Sequence, residues 1–437
     1  VTADGTTSTT VTSPDGNNFT INDGDRAGGN LFHSFQDFSV PTNGSSSFNN
    51  AVDIDNIISR VTGGNLSSID GLLQANGNAN LFLINPAGII FGNNARLDIG
   101  GSCLGSTADS ILFDDGEFSA IDLDNPPLLT INAPIGLNLR DQPAPITNRS
   151  FAQNTTSTDF VGLEVSPGAN LTLVGGDINF ESGEVTARGG RVDLGGLFET
   201  GTVAINENGS LSFPEGVARA DVTLTNDSDI DVTAAGDGSI TINARNVNLS
   251  GGEFGGSSLR AGIAVDSGSP TAQAGNITLN ATDSISISQA SDIANQTNGV
   301  GNAGGIIINT VNLFLREGSR LDTTTFGVGN AGVINIKASG TISADGESLD
   351  GFNSGIFSQV APTGIGNAGG INITTANLSL TQGGVLSTLT FGAGDAGAIT
   401  IEASDTISAE GQNREGSNSG IFSGVTQTGT GNAGGIN

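Results

Sequence analysis

Short stretches of alternating apolar and polar residues run through the second half of the chain. Ile334 and Ile336 stand two positions apart, and the same spacing returns within residues 371–373 and 399–401. Because successive side chains of a β-strand point to opposite faces, this alternation predicts strands with one buried face. Other short strands, such as residues 377–380, follow after glycine-rich turns. The pattern therefore predicts many short strands separated by turns.

The second half also repeats itself at a fixed period. The sequence Gly-Asn-Ala-Gly-Gly-Ile at residues 301–306 returns 65 residues later at 366–371, and again at 431–436. A related sequence at 329–334 returns at 394–399 with the same offset, so each repeat contains segments of 28 and 37 residues. Such repeats are typical of arrays in which each unit stacks on its neighbours.

Three short strands in each segment predict one turn of a β-solenoid. Gly at a fixed corner of each coil supplies a backbone with positive φ, and Asn side chains at that corner can form a ladder. Stacking of the coils buries the apolar rows in a shared core. We expect one interior column formed by Ile306, Ile334, Ile371 and Ile399.

The longer segment of each repeat carries additional residues, near 345–353 and 410–418, which we expect to form a protruding loop. A β-propeller is the rival architecture, but its blades need four strands and usually carry aromatic signatures that this sequence lacks. The sequence stops at Asn437, inside a repeat. Because a solenoid needs a cap, we expect the array to be truncated there.

Composition and charge narrow the range of functions. The 437 residues include 67 glycines, 44 acidic residues and 14 basic residues, with a formal net charge of −30. This balance excludes a nucleic-acid binder that neutralises phosphates with basic patches. The scarcity of Lys, Glu and Gln argues against a helical protein. No run of 18 apolar residues predicts a transmembrane helix.

The first 150 residues differ from the repeats. They contain the only histidine, His33, the only cysteine, Cys103, and dense apolar runs such as residues 80–85. No 65-residue repeat is visible there. Because an open first coil would expose unpaired strand edges, we expect this part to form a cap on the solenoid.

Several motifs follow one another in this N-terminal part. They are Leu-Phe-His-Ser-Phe-Gln-Asp-Phe at 31–38, Ile-Ser-Arg-Val-Thr-Gly-Gly at 58–64, Ile-Asp-Gly at 69–71, Ala-Asn-Leu-Phe-Leu-Ile-Asn-Pro-Ala-Gly-Ile-Ile-Phe-Gly at 79–92, and Gly-Gly-Ser at 100–102. In this order they resemble the secretion domain of filamentous-haemagglutinin-type exoproteins, the passengers of two-partner secretion, in a form similar to that of cyanobacteria. The resemblance covers roughly residues 1–240, and the repeats resemble the continuing passenger.

The resemblance implies a fold and a route of export. It implies a right-handed parallel β-helix with an N-terminal cap and extrahelical strands. It also implies passage through a dedicated outer-membrane β-barrel transporter after a signal peptide has been removed. We therefore expect a secreted or cell-surface protein that crosses the periplasm of a Gram-negative-type cell and whose signal peptide is already absent.

The resemblance also implies two recognition motifs. The family's Asn-Pro-Asn-Gly-Ile motif corresponds to Asn85-Pro86-Ala87-Gly88-Ile89, with Ala87 in place of the central Asn. The family's earlier Asn-Pro motif corresponds at best to Asn65-Leu66-Ser67, where Leu66 stands in place of Pro. These residues are the second predicted site. Read as sequence alone, residues 85–88 predict a β-turn in which Gly88 takes a positive φ.

Other candidate groups favour a structural role. His33 lacks a nucleophile elbow nearby, so we expect it to be packed or hydrogen-bonded. Cys103 stands where a large apolar residue is expected and predicts a buried, inert thiol. The acidic stretch 114–124, with Asp114, Asp115, Glu117, Asp122 and Asp124, fits no calcium-loop spacing and predicts a solvated loop, with calcium binding as the alternative. We expect no metal and no cofactor.

Parallel β-helices also include carbohydrate-active enzymes, so fold alone does not decide the class. A carbohydrate-active β-helix enzyme and a purely structural surface spacer are the alternative functions. Converging carboxylates in an acidic cleft would favour the enzyme, and a solenoid without a groove would favour the spacer. With one Lys and 13 Arg scattered along the chain, no catalytic cluster stands out. We therefore predict no enzymatic activity.

Together these observations predict two parts. Residues 1–240 form the capped secretion domain, which the transporter recognises and which templates β-helix folding during export. Residues 241–437 form a repetitive passenger with two coils in each 65-residue repeat. The expected function is that of a large exported adhesin-like protein. Its expected partners are the transporter and a host or neighbouring-cell surface or matrix, with no nucleic acid, and the chain is expected to be a monomer.

Overall fold

The structure is a computed structural model of the chain. It describes residues 1–123, 129–154, 158–253 and 255–437. All regular secondary structure in these ranges is β-strand, which confirms the all-β prediction. Among the described residues, no helix has the length and apolarity to cross a membrane. The chain divides into two compact units, residues 1–187 with 192–222 and residues 188–191 with 223–437.

The strands are short and follow one another along the whole chain. The first half contains β1 (Thr2–Ala3), β2 (Thr10–Thr12), β3 (Asn18–Asn22), β4 (Asp25–Ala27), β5 (Asn30–Asp37), β6 (Ser45–Phe48), β7 (Asn56–Val61), β8 (Ser67–Ile69), β9 (Leu72–Ala75), β10 (Asn80–Ile84), β11 (Ile89–Phe91), β12 (Arg96–Asp98), β13 (Cys103–Ser106), β14 (Ser110–Phe113), β15 (Gly116–Ser119), β16 (Gly136–Leu139), β17 (Ile146–Asn148), β18 (Leu163–Glu164), β19 (Leu171–Gly175), β20 (Ile178–Glu181) and β21 (Glu184–Thr186).

The remaining strands include several that are twice as long. They are β22 (Arg191–Gly196), β23 (Gly201–Ile205), β24 (Leu211–Ser212), β25 (Val222–Thr225), β26 (Asp229–Asp231), β27 (Ser239–Ser250), β28 (Ser258–Ile263), β29 (Gly268–Gln273), β30 (Ile277–Ser288), β31 (Asp292–Thr297), β32 (Val300–Asn302), β33 (Ile306–Thr310), β34 (Asn312–Arg316), β35 (Arg320–Asp322), β36 (Ile334–Ala338), β37 (Thr341–Asp345), β38 (Gly355–Phe357), β39 (Ile371–Thr381), β40 (Val385–Thr390), β41 (Ile399–Glu410) and β42 (Gly420–Val425).

Three parallel stacks form the coils of the first unit. One stack contains β5, β7, β10, β13, β19 and β22, the second β8, β11, β17 and β20, and the third β3, β6, β9 and β12. Leu81, Cys103 and Leu171 are aligned across β10, β13 and β19 and are buried in the interior. Strands too short to stand alone are thus stabilised by the coils on either side. The parallel β-helical prediction is confirmed.

Antiparallel strands cover the start of the first unit. β1 and β4 both pair with β5 in the antiparallel direction, and β2 pairs with β3 in the same way. These strands satisfy the backbone groups that an uncovered first coil would expose, because a strand edge carries a row of unpaired N–H and C=O groups. The N-terminal cap expected from the sequence is present.

A second antiparallel sheet lies outside the coils of the first unit. It contains β14, β15, β16, β23 and β24. Its apolar side chains pack against outward-facing side chains of the first stack. This cluster includes Phe32, Ile58, Ile84 and Leu104 from the stack, and Ile111, Phe118, Leu137 and Val203 from the extrahelical sheet. The first stack is therefore buried on both faces.

A continuous column of isoleucines forms the core of the second unit. Ile306 is aligned with Ile334, Ile334 with Ile371, and Ile371 with Ile399. All four side chains are fully buried. The predicted interior column is confirmed, with one member in each coil.

The glycine-rich corner of the repeats also follows the prediction. Gly329 has a φ of 145°, and a Cβ built on it would lie 1.9 Å from the carbonyl oxygen of Gly301 in the coil before. Next to it, the backbone N–H of Asn330 donates to Oδ1 of Asn302 at 3.0 Å, and that of Asn367 donates to Oδ1 of Asn330 at 2.9 Å. Glycine allows the coils to approach closely, and the asparagine ladder joins them.

The additional residues of the longer segments form loops, as expected. Residues 345–353 fold back on themselves through an antiparallel bridge between Glu347 and Asn353, and residues 410–418 do so through Gln412 and Asn418. Leu349, in the first of these loops, is 94% exposed. The loops therefore stand out from one corner of the coils.

Candidate functional site: the Asn85 turn

The first predicted motif forms the tight turn that joins β10 to β11. The backbone N–H of Gly88 donates to the carbonyl of Asn85 at 3.0 Å, which closes a four-residue turn. Gly88 has a φ of 118°, a conformation that side chains with a Cβ rarely adopt. Pro86 at the second position restricts φ to the value that such a turn needs. The β-turn predicted from these residues is confirmed.

The side chain of Asn85 is completely buried and hydrogen-bonded at both ends. Its Oδ1 accepts a hydrogen bond of 2.9 Å from the N–H of Ala87, two residues further on. Its Nδ2 donates to the carbonyl of Asn65 and to Oγ of Ser67, each at 2.9 Å. An amide side chain has two N–H donors and one carbonyl acceptor, so all of its groups are used. Asn85 therefore joins the two predicted motifs, which lie 20 residues apart in the sequence.

The second motif lies directly beside this turn. The backbone N–H of Ser67 donates to the carbonyl of Gly88 at 3.0 Å. Asn65 is exposed, and its Nδ2 donates to Oδ1 of Asp37 at 2.7 Å. Leu66, which replaces the family's Pro, is 47% exposed. The outer surface of the joined motifs thus contains an apolar side chain next to polar ones.

On the opposite side the turn contacts a segment that the sequence did not indicate. The N–H of Ile89 donates to the carbonyl of Pro145 at 3.4 Å, and a Cβ on Gly88 would lie 3.7 Å from Cβ of Ala144. The turn is therefore held between neighbouring segments of the stack. Because Pro145 belongs to a segment 60 residues away, no local pattern could identify this contact.

A buried arginine forms a second polar centre that the sequence did not reveal. The guanidinium of Arg60, on β7, donates from Nε to Oγ of Ser34 at 2.8 Å and from Nη2 to Oγ1 of Thr6 at 3.0 Å. Its Nη1 donates to the carbonyl of Ser119 on the extrahelical sheet. The guanidinium also lies 4.4 Å from the ring centre of Phe118. Arg60 therefore connects the cap, the first stack and the extrahelical sheet.

Asp4 extends the same network within the cap. Its Oδ2 accepts hydrogen bonds from Oγ of Ser34 at 2.6 Å and from Oγ1 of Thr62 at 2.8 Å. Burial by itself would raise the pKa of Asp4, but hydrogen bonds to the carboxylate, led by that from Ser34, lower it. Because the charged form is the stabilised one, the first residues of the cap are held by an ionised carboxylate.

His33 and Cys103 have the structural roles that were expected. His33 is buried, its Nδ1 lies 3.0 Å from Oγ1 of Thr9, and its ring is stacked on that of Phe35. Burial lowers the pKa of His33 to about 4, so the ring is neutral at pH 7. Burial raises the pKa of the Cys103 thiol to about 12, which makes it a poor nucleophile.

The acidic stretch 114–124 contributes to hydrogen bonding. Glu117 accepts hydrogen bonds from Ser110 at 2.5 Å and from Asn138 at 3.1 Å. A hydrogen bond from Thr130 lowers the pKa of Asp115. Asp124 lies outside the described residues. Within the residues that the structure does describe, no group of three or more His, Cys, Asp or Glu residues could hold a metal ion.

Comparison with known proteins places the chain in a family. The family model of the TPS secretion domain matches residues 1–242. The HMW1 secretion domain from Haemophilus influenzae is similar in structure, with a TM-score of 0.55 at 18% sequence identity, over 99% of this chain and 98% of that one. The filamentous hemagglutinin secretion domain matches with a TM-score of 0.35 at 15% identity, over 78% of this chain and 93% of that one. No curated protein matches the chain. The chain belongs to the TPS secretion domain family, the N-terminal modules of proteins exported by two-partner secretion.

Proposed function

We propose that the transporter recognises the surface formed by the two joined motifs, residues 65–67 and 85–89. The observation that carries this proposal is the bridge from the Asn85 side chain to Asn65 and Ser67, which makes one surface of two separate sequence motifs. A module that an outer-membrane β-barrel transporter recognises needs a fixed shape on its surface. The buried, fully hydrogen-bonded amide of Asn85 supplies that rigidity.

Asn85 acts in this proposal by positioning other residues. Its side chain is buried, so it cannot touch a partner of the folded domain. The groups that can do so are the exposed Asn65 and Leu66 and the half-buried Pro86 and Ala87. Leu66 therefore supplies the apolar contact, and the Asn85 turn holds it in place.

We further propose that residues 1–240 fold first and template the passenger at 241–437. Backbone hydrogen bonds join each coil to the next: beside the register of Ile306 with Ile334, the N–H of Ile306 donates to the carbonyl of Val333 in the following coil at 3.1 Å. Adding a coil to a finished one avoids the cost of a new nucleus. Sequential folding outside the cell can then favour export without ATP. The family model, which ends at residue 242, supports the boundary near 240.

The passenger is proposed to be an adhesin-like surface that meets a host or neighbouring cell or its matrix. We propose that the chain works there as a monomer, without enzymatic activity and without a cofactor. Membership of a secretion-domain family supports this function over a carbohydrate-active enzyme or a structural spacer. The route runs through the periplasm, and a signal peptide is removed before passage through the transporter.

A surface variant tests the recognition proposal without disturbing the fold. Residues 1–240 are co-expressed with the cognate transporter as wild type, Leu66→Ser and Asn93→Ala. Asn93 is an exposed residue after β11 and serves as the matched control. We expect Leu66→Ser to lower extracellular yield several-fold with an unchanged unfolding temperature, and Asn93→Ala to be exported normally. Normal export of Leu66→Ser would contradict the assignment of this surface.

A further inference from the structure

Two adjoining cavities lie beside the protruding loops of the second unit. Their volumes are about 540 and 350 Å³. Both are lined by Glu317, Glu347 and Arg414. Glu317 belongs to a short turn after β34, whereas Glu347 and Arg414 belong to the two long loops. The alternation of short turns and long loops in the 65-residue repeat therefore produces a cleft, here called the Glu347 cleft.

The loops around the Glu347 cleft are fixed to each other. Nε of Arg414 lies 2.5 Å from Oε1 of Glu347, and the backbone N–H of Arg414 donates to the same oxygen at 3.0 Å. Nδ2 of Asn413 donates to Oδ1 of Asn353 at 2.9 Å. Loops that belong to different repeats are thus joined by side-chain contacts, so the walls of the cleft are preorganised.

One oxygen of Glu347 has no hydrogen-bond donor among the residues that the structure describes. The side chain of Glu347 is only 5% exposed, and both donors from Arg414 go to Oε1. Oε2 is buried and has no hydrogen-bond partner within the described part of the chain. A buried polar atom without a partner is costly, more so when it carries charge. Because Glu347 lines both cavities, a ligand bound there can supply the donor that Oε2 lacks.

The charge of the cleft defines the chemistry of that donor. Five acidic residues line the two cavities, against the single guanidinium of Arg414: Glu253, Glu317, Asp345, Glu347 and Asp350. Among the described residues, no group of three or more His, Cys, Asp or Glu could hold a metal ion. The cleft lacks a hydrogen-bond donor for Oε2 and carries an excess of negative charge. An organic cation with N–H groups supplies the donor and compensates the charge.

We propose that the Glu347 cleft binds aliphatic ammonium groups. An ammonium has three donors on a flexible apolar stem, and the exposed Leu349 at the lining of the larger cavity offers surface for that stem. Hydrolysis of a polysaccharide fits the cleft less well. A glycosidase needs a carboxyl group that donates a proton, whereas Glu347 is ion-paired as an acceptor. Two sources share this chemistry, free polyamines and the Lys side chains of a polypeptide.

Isothermal titration calorimetry of the 437-residue chain at low ionic strength tests the proposal. The probes are spermidine and a peptide of five lysines. We expect saturable binding that Glu347→Gln weakens at least tenfold, equivalent to about 1.4 kcal/mol. Glu317→Gln, which alters an exposed residue, should weaken it in the same direction. Glu402→Gln removes the same charge from an exposed position on β41 and should leave the affinity unchanged.

The outcomes separate the sources and the alternatives. Binding of spermidine without the peptide assigns the cleft to free polyamines, and binding of both assigns it to ammonium groups that include Lys side chains. If neither spermidine nor the peptide shows saturable binding, the proposal is overturned. An equal loss of affinity in Glu347→Gln and Glu402→Gln also overturns it, because the net charge of the protein would then explain the binding.

Discussion

The side-chain amide of Asn85 donates a hydrogen bond of 2.9 Å to the hydroxyl of Ser67, 18 residues earlier in the chain. Both residues are completely buried. The bond ties the turn after β10 to the start of β8 in the neighbouring coil. A motif that reads as a local turn in the sequence is therefore also a contact between coils.

Replacing Asn85 by Asp tests this contact. Asp keeps an acceptor for the N–H of Ala87 but has no N–H for the carbonyl of Asn65, so two oxygens would face each other. We expect the variant to lose about 2–4 kcal/mol of unfolding free energy at pH 7, because a charge is buried and its second oxygen faces the carbonyl of Asn65. Urea denaturation of residues 1–240 measures it. Asn93→Asp, at an exposed position, should change stability by less than about 0.5 kcal/mol. Equal effects would mean that the Asn85 contact contributes nothing.

Arg60 should be one of the most sensitive residues of the first unit. Arg60→Met keeps an unbranched stem but leaves Ser34, Thr6 and the carbonyl of Ser119 without their donor. We expect a loss of about 3–5 kcal/mol, the cost of breaking a buried charged network. Arg26→Met, which removes an exposed ion pair with Asp53, should cost less than about 1 kcal/mol. Chemical denaturation measures the unfolding free energies of both variants. Similar losses of stability in the two variants would contradict the proposed role of the network.

The Asn85 turn and the Arg60 network differ in how far the sequence could predict them. Period-2 alternation predicted the strands of the second unit, and the repeated glycines predicted the corner near Gly329, because both depend on local geometry. The turn at Asn85 was likewise local. The partners of Arg60 were not predictable, since Thr6 and Ser119 lie 54 and 59 residues away and only the folded chain brings them together. The contact of the turn with Pro145 was missed for the same reason.

Glycine at the corner of the repeats should be indispensable. Gly329→Ala places a Cβ 1.9 Å from the carbonyl of Gly301 and strains a φ of 145°. We expect the substitution to lower the unfolding free energy by more than about 3 kcal/mol, because the backbones of two coils must move apart. Gly346→Ala has a φ of 74° but no atom within 4 Å, so only the conformational cost of about 1 kcal/mol is expected. A thermal unfolding comparison checks this, and a small effect at Gly329 would argue against close stacking of the coils.

Asp292 should give the second unit a characteristic dependence on pH. Burial, supported by the charges of Asp322 and Asp229 and opposed by those of Arg260 and Arg320, raises the pKa of Asp292 from 3.8 to about 6. The folded state then binds the proton more tightly than the unfolded state. This group's stabilisation is present below pH 4 and is lost as pH rises to about 6, by at most about 3 kcal/mol.

Unfolding free energies measured from pH 4 to pH 7 test the Asp292 prediction. Asp292→Asn removes the titration, so the loss of stability over this range should shrink in the variant. Asp405→Asn, at an exposed position on β41, should keep the pH profile of the wild type. Identical profiles for all three proteins would show that Asp292 titrates normally.

Export of defined fragments tests the central claim, that the capped N-terminal domain carries the export information. With the cognate transporter present, extracellular and periplasmic protein are measured for the 437-residue chain, for residues 1–300, and for residues 1–300 with Asn85→Asp. We predict that deletion of the repeats leaves the extracellular fraction nearly unchanged, and that Asn85→Asp shifts most of the protein to the periplasm. Loss of export on deleting residues 301–437, together with normal export of Asn85→Asp, would contradict the account.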